Sequence, residues 1–115
     1  MHPDSTYLIF VFSYTCPHCL NSIENLKRYE PGGAVDRVLA LAPEHPEAEA
    51  RFREEFRPEF GVRSLPAEEI SRLANAFPTA YYVRRDTVRA VLTGELPAAL
   101  LFRRAFGEER AGGAR

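Results

Sequence analysis

Apolar residues fall along this chain in two rhythms, short continuous runs of the kind found in buried strands and the three-to-four spacing of helices. Thr6 to Ser13 is a nearly unbroken hydrophobic run that includes Tyr7, Phe10 and Phe12, the pattern of a strand buried on both faces of a sheet. From Pro17 to Tyr29, Leu20, Ile23 and Leu26 recur at helical spacing. Pro17 suits a first helical turn, where its missing N–H is not needed, and Pro31-Gly32-Gly33 ends the helix. Val35 to Ala42 predicts a second buried strand, so the opening is a strand-helix-strand unit with parallel strands. Pro46 to Phe56 predicts a charged helix with Ala48, Phe52 and Phe56 on one face, closed by Pro58 and Gly61. A shorter helix is expected from Pro66 to Asn75, with Ser64 as its cap and Ile70, Leu73 and Ala74 turned inward. The period then changes. Thr79 to Val83 and Thr87 to Leu92 are β-branched and aromatic strands joined at Arg84-Arg85-Asp86, and Leu96 to Phe106 closes the chain as an amphipathic helix.

This order predicts an α/β fold with a central mixed sheet of about four strands, the first pair parallel and the last an antiparallel hairpin, flanked by helices. A chain of 115 residues suits one domain. It is placed at residues 1–108, with 109–115, rich in Gly and Ala, as a flexible tail. Fifteen basic against sixteen acidic side chains leave a net charge of −1, which removes the electrostatic case for nucleic acid or an anionic membrane as partner. The pairs Arg84-Arg85 and Arg103-Arg104 read as solvated surface. The longest apolar run, Tyr7 to Phe12, is far short of the roughly 20 residues of a membrane helix, and the expected state is a monomer. No secretory signal precedes the first strand, which begins almost at Met1, as in a domain cut from a longer precursor.

The chemistry concentrates in Cys16-Pro17-His18-Cys19, which holds both cysteines of the chain. A strand running straight into a helix puts Cys16 at the helix N-terminus, where unpaired N–H groups and the macrodipole favour the thiolate, the attacking form of the sulfur. At roughly 100° per residue, Cys19 shares the face of Leu20, Ile23 and Leu26, whereas His18 projects to solvent. Cys16 is therefore the expected nucleophile and Cys19 the buried thiol that resolves a mixed disulfide. Residues three apart on a helix lie about 5 to 6 Å from one another, a span that a disulfide tolerates. His18 favours the thiolate whether it supplies positive charge or a polar N–H, and Pro17 stiffens the turn. The alternative is a metal-binding or partner-binding module. Structural zinc normally takes four ligands, and beyond this motif the chain offers no second cysteine pair and only His2 and His45. The leading expectation is dithiol–disulfide exchange with protein thiols or disulfides, without an organic cofactor or metal.

The run from Phe10 through Cys19, followed much later by Phe77-Pro78-Thr79, two short strands and Gly94, resembles the thioredoxin superfamily. The resemblance implies a cis proline at Pro78 facing the cysteines. It also implies a substrate-binding surface at Tyr14, Phe77, Pro78 and Thr79, with the backbone of Phe77 pairing to an extended peptide. Two departures stand out: Phe10 occupies the position where thioredoxins proper carry a buried acid, and Thr15 the usual tryptophan. Without that acid, water or Glu24 would have to take the Cys19 proton. The Pro-His dipeptide is similar to that of the periplasmic disulfide-oxidase family. The 42–76 segment, however, has no room for that family's helical insertion, so the plan looks more like compact, often membrane-tethered proteins of bacterial envelopes. A periplasmic or envelope location is the corresponding expectation, with the cytoplasm as the alternative.

Overall fold

The computed structural model describes residues 5–111, so His2 and the Gly112-Gly113 segment lie outside the described residues. The elements are β1 (Thr6–Val11), α1 (Pro17–Leu26), β2 (Arg37–Pro43), α2 (Pro46–Phe56), β3 (Gly61–Leu65), α3 (Ala67–Leu73), β4 (Thr79–Arg84), β5 (Thr87–Thr93) and α4 (Ala99–Ala111). The sheet has five strands in the order β3-β2-β1-β4-β5, one more than the hydrophobic pattern predicts. The additional strand is β3, which pairs in parallel with β2 from Leu39↔Gly61 to Pro43↔Leu65. Ser64 therefore belongs to a strand and does not cap α3, whose N-cap is Pro66. β1 is central. It runs parallel to β2 and antiparallel to β4.

Successive residues of a strand face opposite sides, and here the two sides are filled unequally. One side of the sheet presents Leu8, Phe10, Phe12, Ala40, Ala42, Ala80 and Tyr82 to Cys19, Ile23 and Leu26 of α1, Ala48 and Phe52 of α2, and Phe102 of α4. The opposite side presents Val11 and Leu41 to Ile70 of α3. Leu73, expected to face inward, is 40% exposed because α3 ends there and Ala74 is already extended. The β4–β5 connection is tighter than the three-residue link expected. Arg84 pairs with Thr87, which leaves Arg85 and Asp86 as a two-residue turn with φ of 54° and 59°, the left-handed geometry that hairpin turns favour.

Two helix ends also differ from expectation. α1 stops at Leu26, after which a series of turns carries Tyr29 into the core. α4 starts at Ala99, because the backbone groups of Leu96 are bonded to Ser22 and Asn25 of α1, that of Pro97 is bonded to Tyr29 in the turns after it, and Pro97 cannot donate. At its other end α4 continues through Ala111, so residues 109–111 are helical where a tail was expected. Glu109, Arg110 and Ala111 are good helix formers.

Phe102 is 1% exposed and meets Tyr29, Tyr82 and Phe106 at ring-centroid distances of 5.1, 5.3 and 4.6 Å. Phe102→Ala should lower the unfolding free energy by about 3–5 kcal/mol. Leu101→Ala, at a position 56% exposed one residue earlier, should stay within about 0.5 kcal/mol. Urea unfolding of the two variants checks the contrast, and equal losses would mean that α4 is not seated through Phe102.

Candidate functional site

β1 delivers the chain through Phe12 and a short turn to Cys16, which is the N-cap of α1 with extended backbone (φ −87°, ψ 116°) and makes no side-chain capping bond. Its N–H donates to Ser13 O at 3.2 Å, its carbonyl accepts from Leu20 N–H at 3.0 Å, and Pro17 opens the helix. Cys16 is thus joined to the helix through its backbone, and the residue is partly exposed.

Cys19 is 0% exposed, one turn along and on the core face with Ile23 and Leu26. Both cysteines are free thiols. Burial pushes the Cys19 thiol up to about 12, and its hydrogen bond with the Cys16 side chain adds to the rise, while a backbone hydrogen bond from Ser13 opposes it. Phe10 is fully buried and stacked on Phe12 at 5.4 Å, so the strand beneath the site carries hydrocarbon at that position. Glu24 points to solvent, 69% exposed with its carboxylate 3.7 Å from Lys27 Nζ, on the side of α1 away from the buried thiol. Among the described residues no group of three His, Cys, Asp or Glu side chains is arranged to hold a metal ion.

The Phe77–Pro78 peptide is cis. Thr79 pairs with Val11, which brings Phe77 and Pro78 to the end of the sheet where β1 runs out toward Cys16. Of the four residues expected to meet substrate, Phe77 is 37% exposed, whereas Pro78 is buried and Tyr14 and Thr79 are 5% and 6% exposed. Tyr14 and Thr79 are better described as supports. The Thr79 hydroxyl donates to Ala76 O at 2.7 Å and closes the loop before the cis bond. Tyr14 packs against Phe12 and Phe52 and reaches Ser64 Oγ at 2.6 Å. Because Ser64 donates its own proton to Glu49 Oε1 at 2.8 Å, Tyr14 is the donor in that pair. The Glu49 carboxyl, also bonded to Arg53 Nε at 2.9 Å, is held below the usual carboxylate range by Arg53 first and Ser64 second. This relay fastens the turn ahead of Cys16 to α2 and β3.

Sequence periodicity does not foresee the contacts of the segment after β5. His18 is exposed, 74% by side chain, as expected between two cysteines of which one is buried, yet its Nδ1 lies 3.0 Å from Glu95 Oε2. Asn21 Nδ2 donates to the same oxygen at 3.4 Å, Leu96 N–H donates to Ser22 Oγ at 2.9 Å, Asn25 Nδ2 donates to Leu96 O at 3.0 Å, and Tyr29 OH donates to Pro97 O at 2.7 Å. Gly94, at φ +86°, turns the chain out of β5 and donates its N–H to Pro78 O at 3.0 Å. Residues 94–97 therefore bond to the cis-proline loop, to His18, Asn21, Ser22 and Asn25 of α1, and to Tyr29 in the turns after it. The signal available in the sequence was the polar series Asn21, Ser22, Asn25 on a helix next to its apolar face, but it names no partner.

No protein-family profile and no curated protein sequence matches this chain, whereas solved structures do. A thiol:disulfide interchange protein of the thioredoxin family from Chlorobium tepidum TLS superposes with a TM-score of 0.77 at 16% identity, over 94% of this chain and 81% of that one. StoA from Bacillus subtilis gives 0.73 at 11% identity, over 89% and 83% of the two chains. A thiol-disulfide isomerase from Corynebacterium glutamicum gives 0.65 at 21% identity, over 95% and 80%. At such identities the likeness concerns architecture, and it agrees with the sheet, the cysteine pair at the start of α1 and the cis peptide at Pro78 in the assignment of this chain to the thioredoxin fold.

Proposed function

We infer that this domain is a thiol–disulfide oxidoreductase that exchanges disulfides with protein partners through Cys16 and Cys19. The observation that carries the reading is the unequal burial of two free thiols one helical turn apart, with Cys16 partly exposed at a helix N-terminus and Cys19 at 0%. A helix N-terminus favours negative charge on a group placed there, and the accessible sulfur is the one a partner can reach. Cys16 attacks the partner, and Cys19 then attacks the mixed disulfide and releases it. The exposed Phe77 and the cis-proline loop beside this pair suit the approach of an extended peptide. Solved proteins of the same fold that carry thiol:disulfide interchange names support the same class of chemistry.

Cys19→Ser should accumulate mixed disulfides with partner proteins, and Cys16→Ser should not. The check is non-reducing electrophoresis after acid trapping, and equal accumulation by both variants would contradict the assigned roles.

The release step has a pH dependence set by Cys19. Its thiol, pushed up to about 12 by burial, is almost wholly protonated near neutrality, so the attacking fraction grows about tenfold per pH unit. With an aromatic thiol on Cys16, acidic enough to leave without a proton, the logarithm of the release rate should climb with a slope near one from about pH 6 to 9. Stopped-flow absorbance measures it, and a plateau below about pH 8 would show that Cys19 ionises far more easily than its buried setting allows.

A further inference from the structure

We propose that Glu95 is a positioning residue of the redox site, holding His18 by Nδ1 so that Nε2 becomes the nitrogen that passes a proton to the departing partner thiol. The proposal rests on the oxidoreductase reading above and adds to it a residue that lies 77 positions from His18 in sequence.

Three observations carry it. Glu95 is ionised, its carboxyl held below the usual range by the His18 bond first and the Asn21 bond second. An ionised carboxylate accepts hydrogen bonds and donates none, so the proton of the 3.0 Å contact sits on His18 Nδ1. His18 can then exchange a proton with a second group only at Nε2, on a side chain that is 74% exposed in the residue between the two cysteines. The main chain on either side of Glu95 is held in place, by Gly94 N–H on Pro78 O and by the two bonds of Leu96 to Ser22 and Asn25. An isolated surface ion pair contributes little to stability, yet a pair whose backbone is fixed to the helix it serves sets a ring orientation.

The step balances as follows. The Cys19 thiolate gives its electron pair to Cys16 Sγ and forms the Cys16–Cys19 bond. The bond between Cys16 and the partner sulfur breaks, and the partner sulfur leaves with that electron pair. It takes the Nε2 proton of His18 in its imidazolium form, leaving the neutral ring with its proton on Nδ1, and solvent reprotonates Nε2 and accepts the proton that Cys19 lost. The two cysteines are oxidised and the partner is reduced. A proton on the leaving sulfur matters most for thiols of high pKa, which depart slowly as thiolates.

The test loads Cys16 of the full chain with a series of small thiols, from thionitrobenzoate to glutathione and 2-mercaptoethanol, and follows their release. Glu95→Gln and Glu95→Ala should each slow release of 2-mercaptoethanol by at least about tenfold while leaving thionitrobenzoate within about twofold. The dependence on leaving-thiol pKa should steepen accordingly. His18→Ser should show the same pattern, and the His18→Ser, Glu95→Gln double variant should be no slower than His18→Ser alone. The proposal is overturned if the Glu95 variants release every thiol at the parent rate, if they slow all thiols alike, or if their effect persists in full without His18. Failure of the underlying reading looks different: the parent protein would then release no thiol from Cys16 by forming an internal disulfide.

Discussion

The rotation of α1 about its own axis is the constraint on which the rest depends. Cys19, Ile23 and Leu26 are all 0% exposed against Leu8, Phe10 and Phe12 of the sheet, and a helix that must bury that stripe has one rotational setting. The setting decides the chemistry. It leaves the Cys16 sulfur at the helix mouth, sinks Cys19 where desolvation opposes its ionisation, and turns His18 outward, so one packing requirement makes two chemically identical side chains unequal.

A second constraint closes the site from above. The segment between β5 and α4 is fastened to α1 through Asn21, Ser22 and Asn25, to the turns after α1 through Tyr29, and to the cis-proline loop through Gly94. The bonds to Asn21, Ser22, Asn25 and Tyr29 join parts of the chain about 70 residues apart, so they form only once the sheet is assembled. The Ser22–Leu96 bond is buried, which makes it costly to leave unmade and gives the segment a fixed height above the helix. α1, the turns after it and the cis-proline loop are thus tied to one segment, through main-chain groups of Gly94, Leu96 and Pro97 that bond to Pro78, Ser22, Asn25 and Tyr29.

Much of this was legible in the residues. The continuous run in β1, the helical spacing in α1, the charged helix α2, the closing strands and the Cys-Pro-His-Cys turn all depend on local periodicity or on a short motif, and local signals survive in one dimension. β3 was not legible, because Gly61, Arg63 and Ser64 leave it with two apolar side chains and its pairing with β2 supplies what its composition lacks. The family resemblance placed Tyr14 on a substrate-binding surface, whereas its hydroxyl finds Ser64 fifty positions later and its ring is buried against Phe12 and Phe52. Leu73 and the start of α4 failed for a related reason: backbone groups there bond to other parts of the chain, Leu73 O to the Tyr81 hydroxyl and the Leu96 and Pro97 groups to Ser22, Asn25 and Tyr29. Glu95 carried no local sign at all, since an exposed glutamate after a strand is ordinary until His18 is seen beside it.

The central claim is that Cys16 and Cys19 form one dithiol–disulfide couple, and the most direct measurement is equilibration of the protein in glutathione or dithiothreitol buffers of graded potential, with acid quench, thiol counting by mass and metal analysis of the same samples. The account predicts a single two-electron transition between the free dithiol and a Cys16–Cys19 disulfide. Cysteines that stayed reduced across the whole range, or that were protected by a stoichiometric metal ion, would contradict it.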